Sequence, residues 1–257
     1  MAGAIRIAGA TASRAQSISS RRILTKPSVI TLGGLFSSSH QLLPIHVSLW
    51  RSGQFRVFPI QYDGFNYSIE QNGSALAKLI ERRLHSAESP QGTTEASKLH
   101  FVTHSYGALV LRSAMQQIGW DGFGSRTVMI APCNRGSVLA RRFAGMNCAS
   151  VFLGSLAAAE LGQNNEEYFD ELGDMPRLAK VRVIAGTGGY NPMLPSGIQN
   201  DGRVLVPETR LRTPHDHVTV SSTHGFMLYR PAVIRATRRF IQGTAKGLDA
   251  WRCKPRR

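Results

Sequence analysis

The chain has 257 residues, of which 42% are hydrophobic and 18% are charged, and its formal net charge at pH 7 is +15. This length suits one domain with a sizeable core, and the composition excludes a wholly disordered chain and a membrane protein with several spans. The three cysteines, Cys133, Cys148 and Cys253, lie far apart, which argues against a CxxC zinc pair and a secreted disulfide scaffold and favours a reducing compartment.

The basic excess lies at the two ends of the chain. Residues 1–62 contain seven basic residues and no carboxylate, residues 230–257 contain nine basic residues and one acid, and residues 63–229 contain fifteen of each sign. A strongly basic protein suggests a nucleic acid or an anionic membrane as partner. Because the body is neutral and carries no nucleic-acid motif, we expect no nucleic-acid partner, and peripheral contact with an anionic membrane as the use of the basic ends.

The first 27 residues are rich in Ala, Ser, Arg and Ile and lack acids. This composition is typical of an organelle transit peptide, such as a mitochondrial one. The alternative is a disordered tail on a cytoplasmic protein. The longest weakly polar stretch, Ala149 to Leu161, is too short to cross a bilayer, so we expect no transmembrane segment.

Short apolar runs alternate with helical patterns in the body of the chain. The runs typical of buried strands are 29–32, 55–60, 99–103, 127–131, 181–185 and 217–220. Apolar spacing, or a proline at the first turn, predicts helices over 74–84, 108–118 and 231–242. This alternation favours an α/β fold with a mostly parallel central sheet covered on both faces, and it places functional residues in loops after the carboxyl ends of the strands.

Residues 141–176 depart from this alternation, because a mixed helical segment with a polar turn replaces the expected strand and helix. We expect a helical insertion over one end of the sheet. Its apolar residues could form a lid or an acyl pocket, or simply pack on the sheet; they are Phe143, Val151, Phe152, Leu153, Leu156 and Leu161. The predicted organisation is an extension over 1–27, one domain over 28–245 and a basic tail over 246–257.

The strongest local signal surrounds Ser105. A predicted strand ends at Thr103, and Ser105 and Gly107 lead directly into an amphipathic helix. A nucleophile elbow needs this context, since small residues two before and two after the serine permit the tight turn that exposes its hydroxyl. Thr103 replaces the usual first glycine of G-x-S-x-G. The alternative interpretation is a serine that caps the helix.

A serine hydroxyl becomes a good nucleophile only beside a base that a third group orients. Asp201 lies in a Gly/Pro-rich loop after the strand predicted over 181–185, and His224 follows the last predicted strand. The order is therefore Ser105, Asp201, His224, with each residue beyond a different strand. Asn-Asp-Gly is also a common turn sequence, so Asp201 has a purely structural alternative.

Other histidines and acids offer rival assignments. His217 is the second choice for the base, because it starts a strand rather than following one. Asp174 and Asp216 both precede a strand and are poorly placed as the acid. His104 is adjacent to the serine, but an elbow directs its side chain away.

A metal site is suggested by one short run, His215, Asp216 and His217. Without further spaced ligands a solvated turn is the better interpretation, and we expect no metal or cofactor.

Four blocks occur in a recognisable order: Val29–Leu35, Thr103–Gly107, Asp201–Val204 and Val220–Met227, with a fifth, Ala131–Ser137, between the second and third. In this order they resemble the α/β-hydrolase superfamily, specifically its small lipase- and esterase-like members. The resemblance covers about Pro27 to Gln242 and implies the α/β-hydrolase fold. Gly33 stands where relatives usually have the histidine of a His-Gly pair.

The resemblance implies a serine hydrolase that cleaves a carboxylic ester of a small molecule or a lipid. Ser105 would attack the acyl carbon, His224 would accept its proton, and Asp201 would orient the imidazole. Backbone N–H groups of Leu35 and Tyr106 would form the oxyanion hole. An acyltransferase would use the same residues with an alcohol in place of water. A non-catalytic protein of the same fold that binds a partner is the alternative from a different class.

Overall fold

A computed structural model describes residues 6–7, 26–35, 39–87, 98–144, 155–163 and 166–244. Within these ranges the chain forms one seven-stranded sheet in the order β1-β3-β2-β4-β5-β6-β7. The strands are β1 (Arg6–Ile7), β2 (Ser28–Leu32), β3 (Arg56–Gln61), β4 (Leu99–His104), β5 (Arg126–Ile130), β6 (Lys180–Gly186) and β7 (Asp216–Val220). Strands β2 to β7 are all parallel, and the two-residue β1 pairs antiparallel with β3.

Helices cover both faces of this sheet. They are α1 (Leu43–Arg51), α2 (Ile69–Ala87), α3 (Gly107–Ile118), α4 (Val138–Ala144), α5 (Ser155–Leu161), α6 (Glu166–Glu171) and α7 (Pro231–Gln242). Short 3₁₀ helices span Ser39–Leu42, Val206–Thr209 and Phe226–Tyr229. Residues of α1, α7 and the last 3₁₀ helix share one buried apolar cluster, and residues of α2 to α6 share the other, so the two groups of helices lie on opposite faces.

The central strands are apolar on both sides because each face is covered. In β4, Phe101 packs in the cluster beneath α2 and α3, whereas its neighbour Val102 packs in the cluster beneath α1 and α7. Successive side chains of a strand point to opposite faces, so a strand covered twice needs a continuous apolar run. This is why the short runs predicted strands, and each of the six predicted strands is confirmed to within one residue at either end.

The last strand corrects one prediction. Asp216 was expected in a solvated turn before a strand that starts at His217, but β7 already begins at Asp216, which is in register with Arg182 of β6. The helix predicted over 74–84 is also longer than its apolar pattern and spans Ile69–Ala87. Polar residues of its first and last turns carry no apolar periodicity, which is why the pattern missed them.

The described part of the 141–176 insertion packs on the sheet. Leu161 of α5 and Phe169 of α6 are buried in the same cluster as α2 and α3, whereas Leu156 is exposed. The guanidinium of Arg112 in α3 donates to the carbonyls of Gly173 at 2.8 Å and of Phe169, so it ties the insertion to the core. The lid candidates Val151, Phe152 and Leu153 lie outside the described residues.

Most of the predicted extension over 1–27 and the whole tail over 246–257 also lie outside the described residues. Among the helices that are described, none is long and apolar enough to span a bilayer.

Candidate active site

Ser105 occupies the turn between β4 and α3, at the carboxyl edge of the sheet. Its φ of 52° lies in the left-handed region, which costs a non-glycine residue about 1 kcal/mol or more. The Ser105 N–H donates to the Ile130 carbonyl of β5 at 3.0 Å, and its carbonyl accepts from the Ala108 N–H at 3.1 Å. Tyr106, rather than Ser105, is the N-cap of α3, and no side chain caps this helix. The hydroxyl of Ser105 is therefore not used as a helix cap.

Two glycines allow the backbone to crowd around this turn. A Cβ atom at Gly107 would lie 2.4 Å from the carbonyl oxygen of Gly33, so the first turn of α3 could not approach the loop after β2 with any larger residue. A Cβ atom at Gly34 would lie 3.3 Å from the Cβ of Ser105. The loop after β2 and the elbow are thus in direct contact. Thr103, the departure from the usual motif, is fully buried at the end of β4.

The structure brings Ser105, Asp201 and His224 together. Asp201 lies in the loop after β6 and His224 in the loop after β7. Nδ1 of His224 lies 2.7 Å from Oδ2 of Asp201, and Nε2 of His224 lies 3.0 Å from Oγ of Ser105. A carboxylate only accepts hydrogen bonds, so Nδ1 carries the proton and Nε2 carries the lone pair. The Ser105 hydroxyl then donates to Nε2, which is the arrangement that proton removal from a serine requires.

The carboxylate of Asp201 is held on both oxygens. Its Oδ1 accepts from the N–H groups of Arg203 at 2.9 Å and Val204 at 2.8 Å, while Oδ2 meets the imidazole. The Asp201 carbonyl also accepts from the His224 N–H at 2.9 Å. Asp201 is 2% exposed, so water does not compete for these contacts. Asp201 therefore does lie in a turn, as its structural alternative required, and the amides of that same turn orient its carboxylate.

The two expected oxyanion donors lie on the adjoining segments. Tyr106 follows the serine, and Leu35 follows Gly34 in the loop after β2. The neighbouring Ser105 and Ala108 amides have acceptors, but the amides of Leu35 and Tyr106 donate to no acceptor within the described ranges. The Tyr62 hydroxyl donates to the Gly33 carbonyl at 2.7 Å and fixes the same loop from its other side. That these amides stabilise an oxyanion is still a prediction.

Sequence reasoning missed Glu160, a carboxylate of α5 next to the elbow. Its Oε2 accepts from the Tyr106 hydroxyl at 2.6 Å, and its Oε1 accepts from the Ile69 N–H at 2.7 Å and from the Tyr168 hydroxyl at 3.4 Å. Burial raises the pKa of Glu160, and burial together with this carboxylate raises the pKa of Tyr106, which therefore remains a phenol. The only signal in the sequence was one acid in an otherwise apolar helix, Ser155–Leu161.

His104 has a supporting position, but its side chain, which the elbow was expected to direct away, lies beside His224. Its ring centroid lies 4.8 Å from that of His224, and its Nε2–H donates to the His224 carbonyl at 3.3 Å. Complete burial, and then the proximity of His224, lower the pKa of His104 well below its usual value. The ring is therefore neutral and braces the loop that carries His224.

Two of the rival candidates, His217 and Asp216, are engaged elsewhere. Nε2 of His217 lies 2.8 Å from Oγ1 of Thr209, and the guanidinium of Arg182 donates through Nε to Oδ2 of Asp216 at 2.7 Å. The hydrogen bond to Ser105 is made by His224, not by the second choice His217. In the part of the chain that the structure describes, no group of three or more His, Cys, Asp or Glu could hold a metal ion.

No protein-family model and no curated protein matches this sequence. Among solved structures, the chain is similar to the mature form of lipase BlEst2 from Bacillus licheniformis, with a TM-score of 0.61 and 18% identity over 84% of this chain and 89% of that one. It is also similar to Est1E from Butyrivibrio proteoclasticus, with a TM-score of 0.56 and 13% identity over 86% and 90% of the two chains.

A third similar structure is the phospholipase PlaB from Legionella pneumophila, with a TM-score of 0.61 and 14% identity. The match covers 88% of this chain but only 60% of PlaB. Together with the parallel sheet and its helices, these likenesses show that the chain has the α/β-hydrolase fold.

Proposed function

We propose that the protein is a serine hydrolase that cleaves a carboxylic ester of a small molecule or a lipid. The observation that carries the proposal is the continuous hydrogen-bond relay from Asp201 through His224 to Ser105, with distances of 2.7 and 3.0 Å. The relay ends on a serine whose backbone has the unfavourable left-handed conformation, with φ at 52°. A strained nucleophile beside an oriented base is the constellation that acyl transfer requires.

In the proposed reaction, the Ser105 Oγ attacks the acyl carbon while its proton moves to Nε2 of His224. The N–H groups of Leu35 and Tyr106 stabilise the resulting oxyanion, each by about a hundred- to a thousandfold in rate. His224 then gives the proton to the leaving alcohol, and an acyl-enzyme remains. Water, deprotonated by His224, attacks this acyl-enzyme; the bond between the acyl carbon and Ser105 Oγ breaks, the acid leaves, and His224 returns the proton to Oγ. Asp201 keeps the imidazole in the reactive tautomer throughout and stabilises its cation.

The similar structures support an ester rather than another acyl substrate. Two of them are named as a lipase and a phospholipase, and Est1E is also known with ferulic acid bound. The fold alone hosts many reactions, so the substrate rests on these names together with the relay.

Labelling with a fluorophosphonate probe tests the proposal. The folded wild type should be labelled, and Ser105→Ala should lose the label completely. Ser196→Ala, which removes an exposed hydroxyl that takes no part in the relay, should be labelled like the wild type. No label on the folded wild type, or label retained by Ser105→Ala, would overturn the proposal. A panel of short- to long-chain esters, with free acid measured in the presence of an alcohol acceptor, would then separate hydrolysis from acyl transfer.

A further inference from the structure

One helical layer of the molecule contains no carboxylate. This layer is formed by α1, α7 and the 3₁₀ helix Phe226–Tyr229, which cover the same face of the sheet. Neither residues 39–62 nor residues 217–248 include an Asp or a Glu. The exposed or partly exposed arginines of the layer are Arg51, Arg230, Arg235, Arg238 and Arg239. The helices of this layer therefore carry cationic but no anionic side chains. The carboxylate of Asp216 in β7 lies on the same face of the sheet, but it pairs with Arg182, whose guanidinium lies 4.4 Å from the ring centroid of Phe240 in α7.

Helix α1 has an apolar row on its outer side. Leu43, Val47 and Trp50 follow each other at helical spacing and are 51%, 40% and 71% exposed. Ile45 and Leu49, on the inner side, are buried against the sheet. A single exposed apolar residue is ordinary, but a row of three including a tryptophan is typical of an interaction surface.

The 3₁₀ helix extends this apolar surface. Phe226 is 72% exposed and Tyr229 is 57% exposed, while Met227 and Leu228 between them are fully buried. The two exposed rings belong to the segment that begins just after His224. The apolar surface thus reaches the edge of the sheet at which Ser105 lies.

Helix α7 carries the arginines on its outer side. Val233, Phe240 and Ile241 face the sheet, and Arg235 and Arg239, one turn apart, are exposed on the opposite side. The Gln242 amide donates to the Gln54 side chain at 3.1 Å, so the end of α7 lies beside the end of α1. The arginines and the apolar row are consequently parts of one outward surface. Within the described ranges, none of Arg235, Arg238 and Arg239 forms an ion pair with a carboxylate.

We propose that this outer surface of α1, α7 and Phe226–Tyr229 binds the surface of an anionic lipid bilayer. Apolar side chains beside arginines suit the boundary between headgroups and acyl chains, where the rings and aliphatic groups are buried and the guanidinium groups pair with phosphates. The absence of any carboxylate from the layer removes the repulsion that anionic headgroups would otherwise meet.

A second copy of the chain fits this surface poorly. A symmetric dimer would place the surface against itself, so arginines would face arginines with no acid between them. A nucleic acid would use the arginines, but it would leave the aliphatic row of Leu43 and Val47 without a partner, because nucleic-acid sites pair cations with ring stacking. A bilayer satisfies both the charge and the apolar area.

Vesicle sedimentation with the full chain tests the proposal independently of the proposed hydrolase activity, because every protein carries Ser105→Ala and cannot digest the lipid. We expect binding to phosphatidylcholine vesicles that contain about 30% phosphatidylglycerol, and little binding to pure phosphatidylcholine. Leu43→Gln with Trp50→Gln, which leaves the charge unchanged, should weaken the binding about tenfold or more. Arg235→Glu with Arg239→Glu should weaken it to a similar or larger extent.

Two matched variants control for general effects of charge and apolar area. Lys78→Glu with Arg82→Glu makes the same charge change on exposed positions of α2, on the other face of the sheet. Phe123→Gln with Leu178→Gln removes exposed apolar side chains from turns outside the surface. Both should bind like the parent. Arg235→Gln with Arg239→Gln replaces the glutamate variant if circular dichroism shows that the latter does not fold.

Three results would overturn the proposal. The first is no binding of the parent to the anionic vesicles. The second is equal loss in the surface variants and in their matched controls, which would assign binding to net charge or to the basic ends of the chain. The third is a dimer in light scattering that Leu43→Gln with Trp50→Gln dissociates, which would make the surface an interface between copies.

Discussion

The chain contains two histidine–aspartate pairs, and they end in different surroundings. Asp201 and His224 lie in separate loops beyond β6 and β7, where the two side chains meet and the imidazole reaches Ser105. Asp216 and His217 are adjacent within β7. Neighbouring side chains of a strand point to opposite faces, so this second pair cannot cooperate, and each member has its own partner. A histidine and a carboxylate that are adjacent in sequence therefore need not form a relay. Positions beyond the ends of neighbouring strands are a better indication of one.

The largest expected difference is between the two histidines. His224→Ala removes the group placed to accept the Ser105 proton and should lower kcat/KM for a chromogenic ester by about ten-thousandfold or more. His217→Ala should leave kcat/KM within about threefold, because its imidazole contacts Thr209 rather than the proposed site. Steady-state kinetics on the folded variants measures both. Similar losses in the two variants would contradict the assignment of the base.

The two aspartates should differ almost as strongly. Asp201→Asn replaces a pure acceptor by an amide that permits the wrong tautomer of His224, and we expect kcat to fall by about ten-thousandfold. Asp216→Asn should keep the activity but reduce the free energy of unfolding by about 1–2 kcal/mol. The reason is that the Arg182 side chain, 5% exposed, loses the charge that compensates its burial. Ester hydrolysis and urea unfolding of both variants test this, and a large loss of activity in Asp216→Asn would contradict it.

A third carboxylate, Glu160, contacts the elbow through Tyr106 and belongs to neither pair. Both of its oxygens accept hydrogen bonds, and a glutamine has only one acceptor oxygen for them. Glu160→Gln should therefore loosen Tyr106 and lower kcat/KM by about tenfold to a hundredfold. Fluorophosphonate labelling of Ser105 should be retained. The exposed Glu171→Gln serves as control, and equal kinetics in both variants would show that the contact to Tyr106 does not affect the site.

The smallest expected effect is on the pH dependence of the free energy of unfolding, and it concerns His217 of the second pair. Burial, followed by the proximity of Arg210 and His215, lowers the pKa of His217 to about 4. An unfolded histidine has a pKa of about 6.5, so between these values the unfolded chain binds more protons and the folded state loses stability as the pH falls. We expect each such histidine to contribute a slope of about 1.4 kcal/mol per pH unit in this window.

His217→Gln isolates that contribution, because glutamine can still hydrogen-bond to Thr209 but does not titrate. The buried His46, whose pKa burial and His40 also lower to about 4, would still titrate in this variant. The free energy of unfolding in urea, measured at several pH values between about 4 and 6.5, should fall less steeply in the variant than in the wild type. Identical slopes would contradict the role of His217.

Local patterns were sufficient to predict the six parallel strands, but not the two-residue β1, and they singled out the residues proposed to carry the chemistry. The strands were predictable because a strand buried on two faces has a continuous apolar run, as β4 and β5 do. Ser105 was identifiable because its turn needs small neighbours and joins a strand directly to a helix. The boundary at Asp216 was missed because an acid at a strand start has no apolar signature, although pairing with Arg182 holds it in the sheet.

Contacts between distant segments were not predictable in the same way. Glu160 and Tyr106 are separated by 54 positions, and no periodicity relates them. Likewise, the sequence shows a basic excess at the two ends of the chain. It does not show that α1 and α7, which contain no acids, form one surface. Only packing on the same sheet face places the arginines of α7 beside the apolar row of α1.

Apolar runs and turn residues act over a few positions, so the amino-acid sequence alone predicts the parallel α/β architecture and the order Ser105, Asp201, His224. Tertiary structure decided which histidine reaches the serine. Ser105 and His224 are 119 positions apart, and they meet because β4 to β7 lie side by side and end at one edge of the sheet. His217 is seven residues nearer in the chain, but it lies within β7 rather than beyond its end. The direction in which a side chain points is set by the strand and its neighbours, which no local pattern records.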